Sequence, residues 1–444
     1  MRTPMNEPAA ACARKPGIPA ANSLDAMVEA ELPSLVEIYK HLHASPELSG
    51  QELATSALLA GKLRELGYAV TDGIGKYEKY DWPGYGIVAV LKNGEGPTVL
   101  VRADMDALPV EEKTGLPYAS KIRGVYRDGS EVPVMHACGH DVHVTSLLGA
   151  ARMLARLKES WRGCLVLIGQ PGEEGGGGAQ AMLNDGAYRH CPRPDYALAL
   201  HSTLQLRAGS VGYAPGDFMA SFSELEVVLR GVGAHGSAPE CGKDPIVMAA
   251  QLILGLQTIV SRERSPHEPA VLTVGSIHGG AASNVIPEEV RLQLSIRSYD
   301  QGVRDRTIAS VRRMASGVAL VAGVPEDRAP IVTVKASHPA TYNDPELAER
   351  VASALRIALG DENVVRTGPK MVSEDFGSWG LSGEIPTCMF WLGASDAEAF
   401  RASQESGIPL PSHHSPLFAP LPEPTIRAGV KALTCAALRL LGGA

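Results

Sequence analysis

The sequence lacks a basic excess, an apolar run near its start, a cysteine framework and internal repetition, and each absence removes a class of protein. Its 41 Lys and Arg are outnumbered by 49 Asp and Glu, a formal net charge of −8, so the electrostatic footprint of a nucleic-acid binder is missing. Residues 1–22 hold no apolar stretch long enough for a membrane span or a signal-peptide core. Residues 1–22, rich in Ala and Pro, read as a disordered tail. The cysteines, at 12, 138, 164, 191, 241, 388 and 435, are scattered and odd in number, which favours a reducing compartment over a disulfide scaffold. We therefore expect a cytoplasmic protein, with an exported form carrying a leader left open. What remains is a chain of 444 residues, 45% hydrophobic and 20% charged, long enough for two or three soluble domains.

Apolar spacing predicts a first helix, or a broken pair around Pro33, over Leu24 to His43 and a second over Glu52 to Leu66. Short apolar runs then alternate with helical ones: Ile87 to Leu91, Thr98 to Arg102, Cys164 to Ile168 and Tyr196 to Leu200 read as strands. This is the pattern of an α/β domain whose mostly parallel sheet is covered by helices on both faces. The polar segment 111–134 reads as a loop or hairpin. From about 217 the pattern changes to β-α-β-β-α-β, a ferredoxin-like α+β unit inserted between two parts of the first domain. The expected borders are 23–216 and 337–444 for the α/β domain and 217–336 for the insertion.

The chemistry gathers where strands end. Met135 to His143 places a thiol, three imidazoles and a carboxylate in one turn before a helix, and Cys138 with His140 suits zinc or a neighbouring transition metal. Asp104 and Asp106, Glu173 and Glu174, and His201 each follow a predicted strand, and ligands collect at the carboxyl ends of strands in open α/β sheets. If one of Glu173 and Glu174 faces a metal, its neighbour is held within a water's length of it, so that one can ligate while the other acts as a base. Asp104 and Asp106 are expected to orient imidazoles. The run Gly175 to Gly178 is not a phosphate loop, since no Gly-Lys-Ser/Thr follows and two carboxylates would repel phosphate.

Several of these stretches, in order, carry a resemblance. Arg102 to Pro109 (RADMDALP), Met135 to Asp141 (MHACGHD), Gln170 to Gly175 (QPGEEG), Gly233 to His235 (GAH), Ser283 to Pro287 (SNVIP), Ser373 to Phe376 (SEDF) and His414 to Pro416 (HSP) resemble the motifs of the dinuclear-metal aminoacylase/carboxypeptidase family. The nearest branch is that of hippurate hydrolase and the auxin-conjugate hydrolases. The resemblance implies that Cys138, His140, Glu174, His201 and His414 hold two divalent ions, zinc first, with manganese, cobalt or nickel as alternatives, and that Cys138 bridges them. It implies that Glu173 is the general base, that His235 reaches the scissile carbonyl from a partner subunit, and that Asn284 and Arg297 meet the substrate carboxylate. The expected activity is hydrolysis of N-acyl amino acids by a metal-activated water, in a homodimer formed through the inserted lid domain. Alternatives are a carboxypeptidase or dipeptidase and, behind both, a non-catalytic binder on the same fold. No nucleic-acid or membrane partner is expected. Two departures from the pattern, Ser45 in place of the usual His and a longer insertion around Lys121 to Pro133, bear on substrate preference.

Overall fold

The computed structural model describes residues 21–442, so the tail expected over residues 1–22 lies outside the described residues except for its last two positions. Helix α1 (Ala21–Ala44) runs unbroken through Pro33. Proline inside a helix costs about 3 kcal/mol, but Val28, Leu32, Leu35, Val36, Tyr39 and Leu42 are buried, and burying each large apolar side chain is worth roughly 1.5–3 kcal/mol. The stripe therefore outweighs the break.

In chain order there follow α2 (Leu53–Glu65), β1 (Ala69–Ile74), β2 (Gly86–Asn93) and β3 (Thr98–Asp104). Next come the hairpin strands β4 (Arg123–Val125) and β5 (Glu131–Pro133), then α3 (His140–Arg156), β6 (Gly163–Gln170), α4 (Gly178–Asn184), β7 (Tyr196–Arg207) and β8 (Val211–Tyr213). Strand β9 (Gly216–Arg230) opens the insertion, which contains β10 (Ala234–His235), α5 (Pro245–Arg262), β11 (Ala270–Gly279), β12 (Val285–Ile286), β13 (Glu289–Ser298), α6 (Gln301–Ala322) and β14 (Ile331–His338). The chain closes with β15 (Thr341–Asn343), α7 (Pro345–Leu359), β16 (Val364–Arg366), β17 (Lys370–Ser373), β18 (Thr387–Ser395), α8 (Ala397–Ser406) and α9 (Pro422–Leu441).

The first body is an eight-stranded sheet in the order β1-β2-β6-β3-β7-β18-β8-β16. Its centre, β6-β3-β7-β18, is parallel, while β1, β2 and β6 pair antiparallel at one side. Every residue of β3, β6 and β18 is buried, as a sheet covered on both faces requires. Helices α1, α2, α3, α7 and α9 share one core with one face, and α4 with the segment Asp375–Gly383 covers the other through Ala179, Met182, Phe376 and Trp379.

The inserted unit has the strand order β11-β13-β9-β14, all antiparallel, which is ferredoxin-like. Helices α5 and α6 cover one face through Met248, Leu252, Leu256, Ile308, Val311 and Ala315. Helix α5 is the only one among the described residues long and apolar enough to cross a membrane, and a third of it is buried, against this sheet. The 15-residue strand β9 belongs to both bodies: Gly216 to Ala220 pairs with β15 and β17, and Ser221 onward with β13 and β14. That shared strand sets the inserted sheet over the rim where β3, β6 and β7 deliver their polar residues.

Candidate metal centre

Cys138 reaches the rim through Gly139, whose φ of +80° begins helix α3 in the left-handed region. A Cβ there would lie 2.2 Å from the Ser202 hydroxyl, so the Cys138–His140 spacing needs glycine both for conformation and for space. His140 then occupies the first turn of α3, fully buried. Glu173 and Glu174 follow β6, and the Glu174 N–H donates to Asp106 Oδ2 at 2.8 Å. His201 lies within β7, which was expected to end at Leu200; the strand continues because β18 pairs with it well past β3, with His201 opposite Trp391. His414 has a φ of +65°, rare for a side-chain-bearing residue, and its N–H donates to Ala137 O at 2.9 Å. That bond ties the last loop to the first motif.

The five side chains converge. Cys138, His140 and His201 have ligating atoms within 4.8 Å of one another, as do Cys138, Glu174 and His414, and His140, Glu173 and Glu174. Cys138 Sγ stands 3.5 Å from His201 Nε2, and Glu174 Oε1 stands 3.2 Å from His414 Nε2 and 3.8 Å from His140 Nε2. Asp106 Oδ1 lies 3.3 Å from His140 Nδ1, on the ring's far side, and so orients it. Asp104 orients another imidazole: at 2.6 Å it bonds His143 Nδ1, whose other nitrogen accepts the Ser202 N–H.

The cluster fits a pair of divalent cations. His140 Nε2 and Glu174 Oε1 are buried without a hydrogen-bond partner, and each such atom costs about 1–3 kcal/mol. Burial, with Glu174 and Glu173 close by, pushes the Cys138 thiol well above its ordinary range, while burial is outweighed at His140 by Asp104 and Asp106, which raise its pKa to about 10. Carboxylates that push Cys138 and His140 toward their protonated forms mark a site short of positive charge, and thiolate, imidazole and carboxylate together suit zinc-like ions.

Next to this cluster Glu173 faces an open cavity of ≈ 530 Å³. Burial, then Glu374 and Glu174, pushes its carboxyl well above the usual range, the property of a base able to take and return a proton. The inserted sheet roofs the cavity with Phe222, Arg297 and His338. Arg297 is the only Arg or Lys among the described residues lining it; its guanidinium stacks on the Phe222 ring at 5.4 Å and donates to Met371 O and Ser373 Oγ, both at 3.1 Å. His235 and Asn284 are elsewhere. They neighbour each other on the β10–β12 ladder, with the Gly236 N–H donating to Asn284 O, and neither lines the cavity of its own chain.

Sequence reasoning missed the support beneath Glu173. Fully buried Arg102 donates to Gln170 Oε1 at 2.9 Å, Asp104 at 2.6 Å, Glu374 at 2.8 Å and Asp375 at 3.1 Å. Asp375 in turn accepts from Gln170 Nε2 at 2.7 Å and the Ala179 N–H at 3.0 Å. The run Ser373 to Phe376 was singled out, but not what it paired with. His413 was missed too; it bonds Ser202 O at 2.7 Å and packs between Trp391 and Phe418.

Paired carboxylates beside a cation-deficient cluster, under a roofed cavity at the end of a parallel sheet, are the working parts of a metal-dependent hydrolase. The chain belongs to peptidase family M20/M25/M40, whose model matches residues 100–407. It is 38% identical over 347 residues to N-acetyl-L-cysteine deacetylase of Bacillus subtilis, covering 77% of this chain and 76% of that one. It is also 38% identical over 343 residues to hippurate hydrolase of Campylobacter jejuni, covering 77% and 83%. Among solved structures it resembles the Bacillus subtilis YXEP protein, described as a dinuclear metal-binding peptidase of the M20 family, with a TM-score of 0.73, 26% identity and coverage of 93% and 99%.

Proposed function

We propose that the protein hydrolyses the amide bond of N-acyl amino acids, with Cys138, His140, Glu174, His201 and His414 holding two divalent ions, zinc first, and Glu173 as general base. The observation that carries this reading is the placement of Glu173: adjacent in chain to a ligand carboxylate, raised in pKa, and open to a cavity with a single guanidinium. When bound, the ions supply Lewis acidity to the acyl carbonyl and to water. Glu173 takes a proton from the attacking water and returns it to the departing nitrogen. Arg297 meets the substrate carboxylate from the roof, held in place by Phe222, Met371 O and Ser373. Two relatives named for N-acetylcysteine and for hippurate support this substrate class.

His235 and Asn284 act, in this reading, from the partner of a homodimer. The Ser237 N–H donates to His235 Nδ1 at 3.1 Å, so the neutral ring carries its proton on Nε2, a donor ready for a developing oxyanion. The inserted unit offers the surface. Ile246, Val247 and Leu254 of α5 are 45%, 53% and 73% exposed, and β11 is an unpaired sheet edge next to them.

The test is a panel of N-acetyl and N-benzoyl amino acids, their C-terminal amides, and dipeptides, assayed on zinc-loaded protein. The free acids should exceed the matching amides by at least about tenfold in kcat/KM, since a bond from guanidinium to carboxylate is worth roughly 1.5–3 kcal/mol. Equal turnover of acids and amides would remove Arg297 from its role. Dipeptides as the better substrates would replace the acylase reading with a dipeptidase one.

A further inference from the structure

The loop that carries Glu173 and Glu174 has almost no side chains with which to hold itself. Gly172 precedes the pair and Gly175, Gly176, Gly177 and Gly178 follow it, so the backbone between β6 and α4 is the freest kind of chain. Part of its order comes from its own backbone, the Gly175 N–H donating to Glu173 O and the Gly176 and Gly178 N–H groups to Gly172 O, and the rest is imposed from outside. Glu52 Oε1 accepts the Gly172 N–H at 2.8 Å, Asp106 accepts the Glu174 N–H at 2.8 Å and Asp375 accepts the Ala179 N–H at 3.0 Å, which fixes three further donors. The carbonyls of Glu174 and Gly175 are held by one residue. Arg127, at the tip of the β4–β5 hairpin, donates from Nη2 to Glu174 O at 3.1 Å and from Nη1 to Gly175 O at 3.2 Å.

The guanidinium is itself held. It lies over the Tyr80 and Trp82 rings, each with its centroid 5.2 Å away, and over Tyr126 at 5.6 Å. Nη1 also donates to the Tyr80 hydroxyl at 3.2 Å. Tyr80 and Trp82 stack with centroids 4.1 Å apart, and the Trp82 ring is wedged against Gly50 on one side and Gly176 on the other, where a Cβ would come within 2.3 and 3.0 Å of it. At Gly175 φ is +93°, and an added Cβ would stand 3.3 Å from Arg127 Nη2. The hairpin is anchored to the α/β body by Gln51 Nε2, which donates to Val125 O at 2.8 Å.

We propose that Arg127 is a positioning residue for the hydrolysis: the hairpin lays its guanidinium across the carbonyls of Glu174 and Gly175 and so sets the direction of both the base and a metal ligand. The claim rests on the function proposed above, because it assigns what Arg127 positions. It also gives the longer 121–133 insertion and the glycine run a shared purpose, the run supplying a backbone that a side chain from outside can grip at two adjacent carbonyls. A planar fork with stacked faces does this; an ammonium on a flexible stem reaches one carbonyl and cannot stack as a plane.

Three variants test it on zinc-loaded protein, each read for kcat, KM and the rate at which zinc passes to an excess of chelator. Misplacement of catalytic groups by about 1 Å costs on the order of a hundredfold, so Arg127→Ala should lower kcat by at least about tenfold with KM within about twofold. It should also release zinc several-fold faster. Arg127→Lys should fall between Ala and wild type on both readouts. Arg123→Ala, on the same hairpin but paired only with exposed Glu131, should match wild type. The proposal is overturned if Arg127→Ala keeps its zinc and its kcat, if its loss appears in KM alone, or if Arg123→Ala is equally impaired. A wild type that hydrolyses nothing in the panel would sink the functional reading instead, and the zinc-release comparison would still decide whether Arg127 orders the loop.

Discussion

Glu173→Gln is expected to keep its metal and lose its turnover. The substitution preserves the shape of the side chain and removes its ability to take a proton, so metal content should stay at the wild-type level while kcat falls by at least about a hundredfold, the ordinary contribution of a positioned base. The loop should tolerate the change: its backbone is held by Glu52, Asp106, Asp375 and Arg127, and none of those bonds uses the Glu173 side chain. The substitution also places no charge in a pocket already crowded with Glu374, Glu174 and Asp375, so the fold should tolerate it. Stopped turnover with intact metal is therefore the signature of proton transfer, and a variant that retains substantial activity would remove Glu173 from that role.

The second large effect concerns His235, exposed and outside its own chain's cavity. A donor to the developing oxyanion is worth about 2.7–4 kcal/mol, so His235→Ala should lower kcat by roughly a hundredfold to a thousandfold. If the donor crosses a two-fold interface, mixing His235→Ala subunits with Glu173→Gln subunits should restore part of the activity that each parent lacks. In the mixed dimer one site combines an intact Glu173 with the partner's intact imidazole. After subunit exchange has been demonstrated, a mixture as inactive as its parents would place His235 outside catalysis in trans, and a fully active monomer would remove the dimer as well.

These predictions draw unequally on sequence and structure. The convergence of Cys138, His140, Glu174 and His201 was legible because thiol, imidazole and carboxylate are scarce types that here sit near strand ends, and a parallel sheet brings strand ends to one rim whatever the loops do; His414 came from the family resemblance. The inserted unit was legible from its period and element order. Helix α8 was not, because it buries none of its residues and is held by the Asp396 cap rather than an apolar stripe. The Arg102 network was invisible for a different reason: Arg102 and Glu374 are 272 positions apart, and nothing local in either segment calls for the other. The same holds for Arg127, whose role depends on carbonyls and aromatic faces supplied by two other loops.

The proposed function ties turnover directly to bound metal. Protein stripped with a chelator and reloaded with zinc in steps should be analysed for metal content and for hydrolysis of an N-acyl amino acid on the same samples. We expect no turnover in the stripped protein, and activity that climbs with loading and levels off at two ions per chain; full turnover in stripped protein, or a plateau reached with no metal bound, would contradict it.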